Sequence, residues 1–182
     1  MTKYHAVLEY DPSDRLAKVI CYDLRSFDFT LLWNCAHKDA DILDNVRLYI
    51  SNGELPDYIA NPLSWPIFSG RLIDIICNFA QVDIELLECH IFIEHSEQQV
   101  LGFKAVNTLK QFAALDPIYS RISRDKDGMI TAVHKIAVLD DKIDSDVHIF
   151  RLIEWPYPLI ISDELARALV GRRLVGIALE RL

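Results

Sequence analysis

Two stretches, Trp65-Pro66-Ile67-Phe68-Ser69-Gly70-Arg71-Leu72-Ile73-Asp74-Ile75-Ile76 and Pro158-Leu159-Ile160-Ile161-Ser162-Asp163-Glu164-Leu165-Ala166-Arg167-Ala168-Leu169, align without a gap. In each, a proline precedes a short apolar run typical of a buried strand, and a serine then opens a segment with helical apolar spacing. A serine hydroxyl accepts a hydrogen bond from a free amide of the first helical turn, so Ser69 and Ser162 are predicted to be helix caps. The sequence therefore predicts two similar strand-to-helix units, with helices over residues 69–80 and 162–170. Gene duplication and independent similarity both explain the pair.

Other short stretches of alternating or apolar residues predict strands. They are residues 7–10 and 17–22, joined as an opening hairpin or meander by the turn signature Asp11-Pro12-Ser13-Asp14; residues 46–50; 86–93; 102–107; 122–124 and 129–133, joined as a hairpin; 147–153; and a closing strand within 172–182. Roughly eight to ten strands with two or three helices predict an α+β fold with a mostly antiparallel sheet.

Size and composition favour one ordered domain. The 182 residues, 51% of them hydrophobic, are sufficient for a core that needs no disulfide or metal. We expect a single domain over residues 1–182, with two lobes that meet near residues 95–115 as an alternative. Four cysteines lie at scattered spacings among apolar residues, and we expect them to be buried free thiols. They are Cys21, Cys35, Cys77 and Cys89.

Charge and hydropathy restrict the partners. The net charge is −8 at pH 7, with a pI near 5.2, which disfavours direct contact with nucleic acid or an anionic membrane surface. Glu9 interrupts the N-terminal region before an apolar signal segment is complete, and no apolar stretch reaches the roughly 20 residues that a membrane span needs. We therefore expect a cytoplasmic protein.

Candidate metal ligands are sparse. Asp125-Lys126-Asp127-Gly128 resembles the start of a calcium-binding loop, but no glutamate closes the loop, and a hairpin turn is favoured. Cys35 with His37, and Cys89 with His90, offer thiolate and imidazole, yet neither pair belongs to a spaced set of zinc ligands. We expect no metal and no cofactor.

Catalytic signatures are also sparse. The sequence has no GxSxG elbow and no glycine-rich phosphate loop, and helix capping accounts for Ser69 and Ser162. We expect a protein without catalytic residues. Two alternatives stay open: a small cytosolic hydrolase-like enzyme whose Cys, His and Asp residues meet only in space, and a structural or assembly subunit.

The densest acidic run is Asp140-Asp141-Lys142-Ile143-Asp144-Ser145-Asp146. Its carboxylates, Asp140, Asp141, Asp144 and Asp146, are predicted to dock a basic partner, with a solvated loop as the alternative. Trp155 and Tyr157 follow in Trp155-Pro156-Tyr157-Pro158, and aromatic side chains near an acidic patch are typical of binding anchors. Core packing of Trp155 is the competing interpretation.

Several segments together resemble a known family. They are Asp57-Tyr58, Pro66-Ile67-Phe68-Ser69 with Leu72 and Ile73, Phe103-Lys104-Ala105-Val106-Asn107, Leu115-Asp116 with Ser120, Ile149-Phe150-Arg151, Ile160-Ile161-Ser162-Asp163-Glu164-Leu165, and Gly176. In order and spacing this chain resembles the immunity proteins of bacterial polymorphic toxin systems, family eleven, formerly a family of unknown function. The first fifty residues show no distinctive match.

The resemblance implies a non-catalytic immunity protein, or antitoxin. Such a protein binds a cognate toxin domain in the cytoplasm of the producing cell and occludes its active site or holds it inactive. The acidity of the chain suits a basic, nuclease-like toxin. We expect the immunity protein to be a monomer or a homodimer.

Overall fold

The computed structural model describes residues 5–182, so Met1–Tyr4 of the N-terminal region and of the predicted 1–182 domain lie outside the described residues. The described strands are β1 His5–Tyr10, β2 Val19–Asp23, β3 Arg47–Ile50, β4 Ile67–Ser69, β5 Ile84–Glu88, β6 His90–Ile93, β7 Gln99–Val100, β8 Phe103–Thr108, β9 Gln111–Phe112, β10 Arg121–Arg124, β11 Ile130–Lys135, β12 Ile149–Leu152, β13 Leu159–Ser162 and β14 Ile177–Arg181. The helices are α1 Gly70–Ala80 and α2 Asp163–Leu169, and Phe29–Trp33 and Asp140–Lys142 form 3₁₀ turns. The α+β class predicted from the sequence is confirmed.

The strands form three sheets and a separate hairpin. The largest sheet has the order β14-β1-β13-β12-β9, the second β2-β3-β6-β7 and the third β4-β8-β5, while β10 pairs with β11. Antiparallel pairing predominates, but β12 with β9 and β3 with β6 are parallel. The sheets are therefore mixed.

Both strand-to-helix units are present, and they are built alike. Ser69 ends β4 and its Oγ accepts from the Leu72 amide at 3.3 Å; Ser162 ends β13 and its Oγ accepts from the Leu165 amide at 3.2 Å. Each cap also has a second partner, which differs between the units. The Ser69 hydroxyl donates to Asp57 Oδ1 at 2.5 Å, whereas Ser162 Oγ lies 2.9 Å from His148 Nδ1.

The two helices pack over the largest and the smallest sheet. Their buried residues, including Leu72 and Leu165, form one apolar cluster with Leu8 of β1 and Phe68 of β4. A second cluster surrounds Trp65, whose indole Nε1 donates to the Phe29 carbonyl at 3.0 Å. A third lies on the opposite face of the largest sheet, beneath the β10–β11 hairpin. The helices cover one face of the largest sheet and the hairpin covers the other.

The predicted opening hairpin is wrong. Residues 7–10 and 17–22 do contain strands, but β1 pairs with β13 and β14, and β2 pairs with β3. The apolar side chains separate them, because Leu8 packs under the helices whereas Val19 packs in the Trp65 cluster. The turn at Asp11 forms locally, and its Oδ1 accepts from the Ser13 amide at 3.0 Å.

Two strand boundaries also differ from the prediction. Residues 86–93 are not one strand, because the chain changes sheet at Cys89: β5 pairs with β8, and β6 pairs with β3. The closing strand starts only after Gly176, whose φ of +75° is incompatible with extended structure. The acidic run, predicted as a docking patch with a solvated loop as the alternative, contains the short 3₁₀ turn Asp140–Lys142.

Candidate functional site

The predicted anchors Trp155 and Tyr157 line a cavity of about 450 Å³ at one end of the largest sheet. Tyr10 from β1 and Tyr58 from the loop before β4 line the same cavity, and Ile136, just after β11, contributes to the wall. We call this cavity the aromatic groove. Four aromatic rings, those of Tyr10, Tyr58, Trp155 and Tyr157, border it.

The rings of the groove are held against one another. Tyr157 makes edge-to-face contacts with Trp155 and Trp33, at centroid distances of 4.6 and 4.8 Å. Tyr58 likewise contacts Tyr10 at 5.8 Å and Phe68 at 4.7 Å. Tyr157 is nevertheless 39% exposed. An exposed ring held by its neighbours loses little conformational entropy when a partner covers it.

Arg151 holds the backbone that carries both anchors. Its guanidinium is fully buried, and Nη1 donates to the carbonyls of Pro156 and Tyr157 in the β12–β13 connection. Nε and Nη2 have no hydrogen-bond partner within residues 5–182. Burial lowers the pKa of Arg151. Sequence reasoning assigned no role to this residue, although a single arginine inside the apolar strand Ile149–Leu152 is an unusual signal.

Glu9 adds a carboxylate to the groove. It lies near the end of β1, and Glu180 of β14 is its acidic neighbour. Burial, and secondarily the charge of Glu180, raise the pKa of Glu9 above its ordinary value. Glu9 is therefore an ionisable group of the aromatic groove whose protonated form is favoured by its surroundings.

The acidic run lies at the other end of β1. Asp140 Oδ1 is 3.2 Å from His5 Nδ1, where β1 begins, whereas Tyr10 at the groove is where β1 ends. Five residues of strand span about 17 Å. Asp141, Asp144 and Asp146 are exposed. The structure thus does not bring the predicted carboxylates and aromatic anchors into one patch, and their role in binding stays a prediction.

The cysteines considered as nucleophiles lie in unfavourable surroundings. Burial raises the pKa of Cys89 to about 12 and also raises that of Cys35. The Cys89 thiol donates to the Phe103 carbonyl at 3.7 Å. His90 Nδ1 lies 3.3 Å from the side-chain nitrogen Nε2 of Gln99, rather than beside the Cys89 thiol. A thiol with so high a pKa is protonated at neutral pH and is a weak nucleophile.

The remaining candidates for chemistry are occupied by local contacts. In the hairpin turn, Asp125 Oδ1 accepts from the amides of Asp127 and Met129, at 3.0 and 2.9 Å. Within the part of the chain that the structure describes, no three His, Cys, Asp or Glu side chains are grouped as metal ligands. None of the described helices is long and apolar enough to cross a membrane.

Comparison with known proteins identifies the family. Curated protein sequences give no match. The sequence model of the Immunity protein family (Imm11) matches residues 37–182. The match starts before Asp57-Tyr58, the first of the segments on which the sequence resemblance was based. Since this match covers well over half of the chain, the protein belongs to the Imm11 immunity protein family.

Proposed function

We propose that this protein is an immunity protein that binds a cognate bacterial toxin domain in the cytoplasm and neutralises it without catalysis. The observation that carries the proposal is membership of the immunity family across residues 37–182. Neutralisation then follows from binding alone, by covering the toxin's active site or by holding the toxin in an inactive conformation.

The aromatic groove suits the binding task. Tight association requires a few large anchors on a surface that does not need to be ordered on binding. Trp155 and Tyr157 are such anchors, because ring contacts fix the side chains and Arg151 fixes the backbone between them. We propose that they insert into the toxin surface as the centre of the interface.

The acidic run suits the approach of a basic toxin. Asp141, Asp144 and Asp146 are exposed, and the chain carries eight net negative charges. Exposed charges of one sign attract an oppositely charged partner over a distance of about 8 Å in physiological salt and so accelerate encounter. We propose that Asp140, Asp141, Asp144 and Asp146 steer a basic, nuclease-like toxin toward the groove.

Co-expression with the toxin domain encoded by the adjacent gene tests this function. Cells that produce the toxin alone should stop growing, and cells that also produce this chain should grow. Replacing Trp155 and Tyr157 together by alanine should weaken toxin binding by roughly 100-fold or more, as is typical of anchors at an interface centre. Toxicity without rescue by the wild-type chain, and without co-purification, would refute the proposal.

A control tests whether the loss of binding is specific to the aromatic groove. Tyr119 is 72% exposed and makes none of the ring contacts of the groove, so Tyr119→Ala removes an aromatic side chain of the same kind elsewhere. This variant should bind the toxin as the wild type does. The acidic run is tested separately: Asp140, Asp141, Asp144 and Asp146 replaced by asparagine should slow association and flatten its salt dependence, leaving dissociation nearly unchanged.

A further inference from the structure

The outer edge of β14 has no strand partner at Ile177 and Leu179 within residues 5–182. The Leu182 amide donates to the His5 carbonyl at 3.1 Å, and the Asp11 amide donates to the Gly176 carbonyl at 3.0 Å. In an antiparallel ladder, the alternate residues direct their amide and carbonyl groups to the opposite side. Ile177 and Leu179 therefore direct theirs away from β1, and no strand within residues 5–182 pairs with them.

An apolar cavity of about 450 Å³ lies beside this edge, between β14 and the end of α2. Its wall includes Leu169, Leu174, Ile177 and Leu179, and Val170 at the rim is 70% exposed. Ile177 and Leu179 thus offer free backbone groups to the outside and apolar side chains to the cavity. An added strand with an apolar side chain satisfies both features at once.

The rim of the cavity is basic, in contrast to the chain as a whole. Between Leu165 and Leu179 there are three arginines and no acidic residue. Arg172 and Arg173 are exposed, and their side chains form no hydrogen bond or ion pair within the described residues. Arg173 lines the apolar cavity and Arg172 precedes it in the chain, and an unpaired guanidinium group at the cavity wall favours a carboxylate on the group that enters it.

We infer that an extended segment of the toxin adds to β14 as a further strand. One of its apolar side chains fills the cavity beside Leu179, and its carboxylates pair with Arg172 and Arg173. This inference rests on the proposed function. The edge and the aromatic groove adjoin, because Tyr10 in the groove is the register partner of Ile177 at the start of β14. One interface of ordinary size, about 800 Å² on each partner, covers both.

Amide hydrogen exchange, measured by NMR on the complex with the adjacent-gene toxin domain, tests the added strand. The amides of Ile177 and Leu179 should exchange at least tenfold more slowly in the complex than in the free protein. Those of Ala178 and Glu180 already face β1, so their exchange should change much less. This alternation distinguishes strand addition from general shielding of the surface.

Two variants test the chemistry of the edge. Leu179→Pro removes an outward-facing amide, a position where an edge strand tolerates proline, and should weaken toxin binding at least tenfold. Arg172→Glu with Arg173→Glu should do the same, and the loss should shrink at high salt. The control is Arg25→Glu with Arg47→Glu, which changes the net charge equally at a distant place, in β3 and just after β2, and should leave binding unchanged. Circular dichroism confirms that each variant is folded.

The outcomes separate this inference from the proposed function. If the wild type binds and protects, but the variants bind equally well and no β14 amide is slowed, strand addition is wrong and the proposed function stands. If β14 amides become protected with protein concentration in the absence of toxin, the occupant is a second copy, which also overturns the inference. If the wild type neither binds nor protects, both fail.

Discussion

Ser69→Ala should destabilise the protein more than Ser162→Ala, although both serines cap a helix in the same way. Loss of an N-cap hydroxyl costs about 1 kcal/mol at either site. Ser69 also donates to the buried Asp57 carboxylate at 2.5 Å, and a hydrogen bond to a charged group contributes about 1.5–3 kcal/mol. The expected loss for Ser69→Ala is thus about 3 kcal/mol.

Ser162 has a weaker second contact. Its partner is the half-buried His148 at 2.9 Å, and a hydrogen bond between neutral groups contributes about 1 kcal/mol, so the expected loss is about 2 kcal/mol. The difference of about 1 kcal/mol corresponds to roughly 2–4 °C in Tm for a chain of this size. Urea unfolding followed by circular dichroism measures both losses.

Two further variants locate the origin of the difference. Ser69→Thr keeps the hydroxyl and should recover most of the stability lost in Ser69→Ala. The Asp57→Asn variant lacks the carboxylate. Adding Ser69→Ala to it should therefore lower the free energy of unfolding by only about 1 kcal/mol further, close to the contribution of the cap alone. Equal losses for Ser69→Ala and Ser162→Ala, or the reverse order, would refute the assignment of Asp57 as the decisive partner.

Gly176→Ala places a Cβ 2.3 Å from Pro56 Cβ at a φ of +75°, and should lower the free energy of unfolding in urea by more than about 3 kcal/mol. Gly128 also has a positive φ but has open space around it, so Gly128→Ala should lower the free energy of unfolding by only about 1 kcal/mol. Cys21 is exposed and should be alkylated quickly at pH 8, whereas Cys89, whose pKa is raised to about 12, should react only after unfolding. Mass spectrometry locates the labelled residue. Fast labelling of Cys89 would contradict its burial. Burial and the charge of Glu180 raise the pKa of Glu9, so the native protein binds a proton at Glu9 more tightly than the unfolded chain does, and the free energy of unfolding should fall as pH rises above 4.5. Glu9→Gln should flatten that fall in urea unfolding curves measured between pH 4 and 7. An unchanged slope would exclude Glu9 as its source.

Local features of the fold were predictable because their causes lie within a few residues. The caps at Ser69 and Ser162, the hairpin turn at Asp125–Gly128 and the strand before Ser51 follow from short-range patterns, and the structure confirms them. Strand pairing was not predictable in the same way. The partner of β1 is β13, about 150 residues away, and the choice depends on which cluster buries Leu8.

The candidate site was predictable only in part. Trp155 and Tyr157 stood out as aromatic residues in a proline-rich turn, and the structure places both at a surface groove. Tyr10 and Tyr58 join them only through folding, from distant parts of the chain. Arg151 donates to the carbonyl groups of Pro156 and Tyr157 in the β12–β13 connection, and no local sequence pattern specifies these contacts. The separation of the acidic run from the groove likewise depends on the pairing of β1.

The measurement that tests the account most directly is a titration of the purified toxin domain from the adjacent gene with this protein, following toxin activity and binding heat together. We expect a 1:1 complex with a Kd in the nanomolar range or below, and toxin activity that disappears at equivalence. Toxin activity that persists at several-fold excess of this protein, with no binding heat, would contradict it.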